Sequence, residues 1–132
     1  MAAIHSDCVS KLKQTIVVVD DDAGMNQALT RLLKAAGFGA VTFRSAEDFL
    51  EAGCAEKAEC LILDIHLPGM SGFELRRQLA HTGIEPPVIF ITAYDDLASR
   101  QQAEQAGAVG YLAKPFPGRN LLDLLGKALN LR

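Results

Sequence analysis

Aspartates, a threonine and a lysine recur in this chain at the ends of short apolar runs. The run TIVVV, Thr15 to Val19, stops at Asp20, Asp21 and Asp22. Cys60 to Leu63 ends on Asp64, and Val88 to Ile91 ends on Thr92. Gly110 to Leu112, which contains Tyr111, leads to Lys114. Clustered carboxylates repel one another unless a cation compensates. Mg²⁺ suits such a cluster: it is hard, takes oxygen ligands in a near-octahedral shell and keeps several waters. One or two carboxylates plus a phosphate oxygen would complete that shell. Thr92 and Lys114 then read as donors to a phosphoryl group whose charge the metal, ammonium and hydroxyl would share. Asp64 is itself a candidate nucleophile, because aspartyl phosphates are an established covalent class. Taken singly, these residues have plainer readings. An Asp after a strand is commonly a helix cap or turn residue, Thr92 suits a strand end, and Lys114 suits a surface. The weight lies in the set, with several run ends each delivering a group of the required type.

For these groups to meet, the runs must be neighbouring strands. Thr15 to Val19 lacks polar alternation, which predicts a strand buried on both faces. Ala28, Leu29, Leu32, Leu33 and Ala36 fall at helical spacing within a helix expected over Met25 to Ala36, with Gly37 placed to stop it. Ala40 to Phe43 is the next predicted strand, and Ser45 is placed to cap a short helix to Ala52. After the Cys60 run, LPGMSG at Leu67 to Gly72 is a loop. Helices are expected at Phe73 to His81, at Leu97 to Ala106 with Asp95 or Asp96 as cap, and at Leu121 to Leu129. The fold class is therefore α/β: a (βα)₅ chain with a parallel sheet and helices on both faces. In such sheets function sits at the carboxyl ends of the strands, where Asp20, Asp21, Asp64, Thr92 and Lys114 fall. Residues 1–13 read as a loose tail before a single domain, 14–132.

The bulk properties narrow the class of function. The chain has 132 residues, 49% of them hydrophobic, which suits one packed domain. A formal charge of -3 provides no general basic field, so direct binding of nucleic acid is disfavoured. Cys8, Cys54 and Cys60 have no paired spacing and predict neither a disulfide framework nor a zinc site. No signal peptide or apolar run of membrane-spanning length is present, so a soluble, cytoplasmic protein is expected.

The segments VVVDDD (Val17 to Asp22), LILDIHLPGMSGFEL (Leu61 to Leu75), VIFITAYDD (Val88 to Asp96) and GYLAKPF (Gly110 to Phe116) resemble the receiver domain of two-component response regulators. The resemblance runs from about Thr15 to Leu129. It implies a flavodoxin-like, doubly wound parallel sheet of order 2-1-3-4-5. A receiver protein is itself one of the standard examples of that order. It implies that Asp64 accepts a phosphoryl group from a sensor histidine kinase or phosphotransfer protein. Asp20, Asp21, Asp64 and the backbone carbonyl of His66 would hold Mg²⁺, and Lys114 would contact the phosphoryl group. Thr92 and Tyr111 would form a switch pair in which the hydroxyl moves inward and the ring fills the space left. Lys114-Pro115 would be cis. Asp22 would either lie near the site or cap the first helix. His66 and Tyr94, each two residues beyond a site residue, would modulate phosphoryl lifetime. Because an imidazole changes charge within the physiological pH range, His66 would make that lifetime pH-sensitive.

The resemblance also implies a switch, not a turnover enzyme, that acts on an output domain or protein partner. No output domain is expected in the chain, and the loop and C-terminal segment resemble regulators carrying a helix-turn-helix output domain. A phosphorylation-dependent dimer is among the expected states, although Leu97 to Ala106 offers few charges for pairing through that helix. Three competing readings are weaker. A dinucleotide binder needs a Gly-rich turn where this chain has DDDAG. A phosphatase of the haloacid dehalogenase type needs an acid where this chain has His66, and room for a cap. A degenerate receiver acting only as a binding module would lack some of the filled positions.

Overall fold

The computed structural model describes residues 14–130; the tail expected at 1–13, with Cys8, lies outside them. Five strands form one parallel sheet in the order β2-β1-β3-β4-β5. They are β1 (Thr15–Val19), β2 (Gly39–Phe43), β3 (Cys60–Asp64), β4 (Val88–Thr92) and β5 (Gly110–Ala113). Between and after them run α1 (Ala23–Ala35), α2 (Ala46–Ala52), α3 (Gly72–His81), α4 (Leu97–Gln105) and α5 (Gly118–Asn130). A 3-10 turn, Ala55–Lys57, precedes β3 and has no counterpart in the sequence reading.

β1, β3 and β4 are buried along their whole length, whereas the edge strands β2 and β5 are half-buried. That explains why the central runs are apolar without alternation. One face of the sheet packs Val17, Val19, Leu61, Leu63 and Phe90 with Phe49 of α2 and Leu75 and Leu79 of α3. The other packs Ile16, Val18, Ile62, Ile89 and Ile91 with Leu29 and Leu33 of α1 and Leu121 and Leu125 of α5. A fully buried leucine such as Leu125 contributes about 1.5–3 kcal/mol by leaving water.

The helix ends differ from expectation where polar residues set them. α1 begins at Ala23 rather than Met25, because the Asp22 carboxylate accepts from the amides of Gly24 and Met25. Asp22 is thus the cap of α1. α4 starts at Leu97 as expected, and of the two candidate caps it is Asp96 whose carboxylate accepts from the Ser99 amide, at 2.7 Å. Ser71 and Glu74 form a reciprocal capping box that starts α3. α5 begins at Gly118, before the expected Leu121, because its first turn (Gly118, Arg119, Asn120) has no apolar side chain to show the period. The Lys114-Pro115 bond is cis.

Candidate functional site

β1, β3 and β5 lead Asp20, Asp64 and Lys114 to the same end of the sheet. Asp20 follows β1 and is fully buried. Its amide donates to the carbonyl of Phe43 at 3.0 Å, and its own carbonyl accepts from Asn26 Nδ2 at 2.8 Å. Its carboxylate accepts from the Asp22 amide at 2.9 Å and from Lys114 Nζ at 2.7 Å. Asp64 ends β3 and is buried; Oδ1 accepts from the His66 amide at 2.9 Å and Oδ2 from Lys114 Nζ at 3.1 Å. Asp21 is exposed, and one ligand oxygen from each of Asp20, Asp21 and Asp64 lies within 4.8 Å of the others.

The electrostatics follow from this crowding. Burial pushes the Asp20 carboxyl above its ordinary value, and the Asp64 charge adds to it; the Lys114 and Asp22 hydrogen bonds only partly offset them. Burial works against the Lys114 ammonium, but its bonds to Asp20 and Asp64 and their charges outweigh it, so Lys114 is held above the usual lysine value. Three carboxylates facing one ammonium are a hard oxygen donor set short of positive charge. Such a set fits a divalent cation that takes oxygen ligands.

The segments around this cluster are held closely. A side chain at Gly72 would collide with the Asp64 carbonyl, so the loop after β3 folds back only because that residue is glycine. Two residues beyond β2 brace the cluster from outside. Arg44 donates to the Asp21 carbonyl at 3.1 Å, and Glu47 accepts from the Met70 amide at 2.9 Å. Neither was singled out as a site residue in the sequence. Asn26 was also missed. It stands with Leu29 and Leu33 among the buried residues of α1, and that polar residue in an apolar stripe was the available signal.

Thr92 closes β4 and is fully buried. Its hydroxyl donates to the Tyr94 carbonyl at 3.2 Å and accepts from the Tyr94 amide at 2.9 Å. Pairing Phe90 with Tyr111 and Thr92 with Ala113 puts Tyr111 on the same face of the sheet as Thr92, one pleat back. Tyr111 is half-buried and bonds Asp95 at 3.1 Å. His66 and Tyr94 are exposed and meet edge to face, ring centroids 5.4 Å apart.

The profile of the response regulator receiver domain family matches residues 16–126. The chain belongs to that family. This receiver domain is 40% identical over 111 residues to nodulation protein W of Bradyrhizobium diazoefficiens, covering 84% of the chain and 49% of that protein. It is 38% identical over 117 residues to the transcriptional regulatory protein TdiR of Thauera aromatica, covering 89% of the chain and 52% of that protein. The chain thus spans about half the length of these curated relatives. Among solved structures, response regulator StyR superposes with a TM-score of 0.83 at 44% identity, covering 90% of this chain and 60% of that one. The BeF3-activated receiver domain of DrrB superposes with a TM-score of 0.80 at 34% identity, covering 89% and 98%. The receiver fold and strand order implied by the sequence are therefore those of the protein. Among the described residues no helix is long and apolar enough to cross a membrane.

Proposed function

We propose that Asp64 is the phosphoryl acceptor of this two-component receiver domain. The observation that carries this reading is the single ammonium of Lys114 shared between Asp20 and Asp64 within a trio of carboxylates. A carboxylate oxygen of Asp64 attacks the phosphorus of a kinase or phosphotransfer phosphohistidine. The P–O bond forms as the P–N bond breaks, and the imidazole keeps the electron pair. Lys114 stands beside Asp64 to take up charge on the incoming oxygens, and Thr92 reaches them by turning its hydroxyl away from Tyr94. Mg²⁺ held by Asp20, Asp21, Asp64 and the His66 carbonyl would supply the remaining positive charge.

In this reading Thr92 and Tyr111 carry the change to a distant face, and His66 and Tyr94 set how long the phosphoryl group survives. The chain acts once per signal in the cytoplasm and does not turn over substrate. Its partners are the phosphodonor and an output domain of helix-turn-helix type, with a dimer as one phosphorylated state; DNA contact belongs to that output domain. Residues 14–132 constitute the receiver. The direct test is mass spectrometry after exposure to acetyl phosphate. One phosphoryl group should appear, dependent on Mg²⁺ and absent in Asp64→Asn. Modification that persists in that variant overturns the assignment.

A further inference from the structure

Asp95, Arg100 and Tyr111 form a closed triad outside the acidic cluster. Arg100 of α4 grips Asp95 with both arms of its fork, Nε to Oδ1 at 2.8 Å and Nη2 to Oδ2 at 2.7 Å. The same Oδ1 accepts the Tyr111 hydroxyl at 3.1 Å. The guanidinium carbon also lies 5.3 Å from the centroid of the Tyr111 ring. Tyr111 is therefore held twice, at its hydroxyl and on its ring face, by two residues that hold each other.

An exposed ion pair alone contributes little, because ordering two long side chains costs most of the Coulomb gain. Here one ordering serves three contacts. The two-armed geometry fixes the carboxylate that the phenol needs, and a bond to a charged acceptor is stronger than one between neutral groups. The ring contact adds a cation–π attraction. Protonation states agree with the geometry. Arg100 holds the Asp95 carboxyl below its usual range, whereas burial and then the Asp95 bond hold the Tyr111 phenol above its own. At neutral pH the acceptor is charged and the donor keeps its proton.

We propose that Asp95 and Arg100 are positioning residues that latch Tyr111 with its hydroxyl outward, and so set how readily this receiver changes conformation when Asp64 is occupied. The inference rests on the phosphoacceptor reading above and adds two residues to it. In this arrangement Tyr111 is tied to Asp95 while the Thr92 hydroxyl is tied to Tyr94, so neither side chain is committed to the acidic cluster. A ligand that favours the rearranged state must break the latch. Its apparent affinity is its intrinsic affinity reduced by the fraction of molecules already competent. Cutting the latch raises that fraction, so the variants gain affinity. Structural damage alone would lose it.

The test is a calorimetric titration of the 132-residue chain with beryllium fluoride, an aspartyl-phosphate mimic, in saturating Mg²⁺. Asp95→Ala and Arg100→Ala are expected to tighten apparent binding by roughly two- to fivefold, the factor set by a latch of surface strength. Asp95→Asn keeps an acceptor for the phenol but loses the charged fork, and should fall between. In a Tyr111→Phe background, Asp95→Ala should change affinity much less, a non-additivity that marks action through Tyr111. Unchanged or weaker binding in both alanine variants overturns the latch, as does an equal gain in the Tyr111→Phe background. If Asp95→Ala melts early, Asp95→Asn and Arg100→Lys carry the same comparison. A wild-type chain that binds no beryllium fluoride overturns the phosphoacceptor reading itself.

Discussion

Lys114 is bonded to Asp20 at 2.7 Å, a closer contact than the 3.1 Å it makes to Asp64. The lysine is thus anchored first on the fully buried carboxylate, which leaves the Asp64 end of the bridge the easier one to open for the phosphoryl group proposed there. Removing one partner of a buried pair is costly because the other charge stays behind. Lys114→Met is therefore expected to lower stability by about 2 kcal/mol in urea unfolding at neutral pH, with proton uptake by Asp20 limiting the loss. Phosphorylation by acetyl phosphate should slow by about a hundredfold, the usual effect of deleting one charge-stabilising donor. Lys114→Met unfolding at the wild-type urea midpoint would show that the bridge is not what holds these strand ends.

Glu47 holds the loop after β3 by the Met70 amide, and that bond lowers the pKa of its carboxyl. The loop carries the His66 carbonyl proposed as a metal ligand. Glu47→Ala should weaken Mg²⁺ binding by roughly two- to fivefold, since one hydrogen bond of ordinary net strength is lost. Glu47→Gln keeps an acceptor oxygen and should bind Mg²⁺ nearly as the wild type does. Equal Mg²⁺ affinity in wild type and Glu47→Ala, read by calorimetry, would confine Glu47 to loop packing.

How much of this was legible depends on the range of the cause. β1 and β4 were readable because strands buried on both faces must be apolar throughout. Asp20, Asp64 and Thr92 were readable because each stands where such a run stops, and Lys114 because it follows the short edge strand β5. Asp22 was left between site and cap, because its sequence position suits both and only the amides of Gly24 and Met25 decide it. Arg44, Glu47 and the Asp95–Arg100–Tyr111 triad were not legible. Their partners come from other elements or, for Asp95 and Arg100, depend on where α4 starts; Tyr111 stood out as a switch residue and Asp95 as a possible cap, but nothing in the sequence joins either to Arg100. The start of α5 was missed for a local reason, a first turn with no apolar side chain.

The His66 and Tyr94 rings meet edge to face and are themselves exposed, and the His66 amide bonds Asp64. In the proposed reading a water attacking a phosphoryl group on Asp64 would approach past them. Tyr94→Ala and His66→Ala are each expected to shorten the phosphoryl lifetime by roughly two- to tenfold, and the double variant by less than the product, because each ring orders the other. Decay of labelled phosphoprotein measures this. Fully multiplicative effects would mean that the two rings act separately.

Tyr111 offers a check on the triad that needs no phosphoryl chemistry. Its phenol is held above the ordinary tyrosine value of 10.0, first by burial and then by Asp95. The folded chain therefore keeps a proton that the unfolded chain releases as pH rises through 10.0. It binds more protons there, and this group's contribution to stability falls with rising pH across that window. The chain has two tyrosines, so in a Tyr94→Phe background the tyrosinate absorbance reports Tyr111 alone. Its midpoint should lie above 10.0. Asp95→Asn should bring it only part of the way back, because burial is the larger cause and remains. A midpoint that Asp95→Asn leaves unmoved would mean that the phenol does not share its proton with that carboxylate in solution.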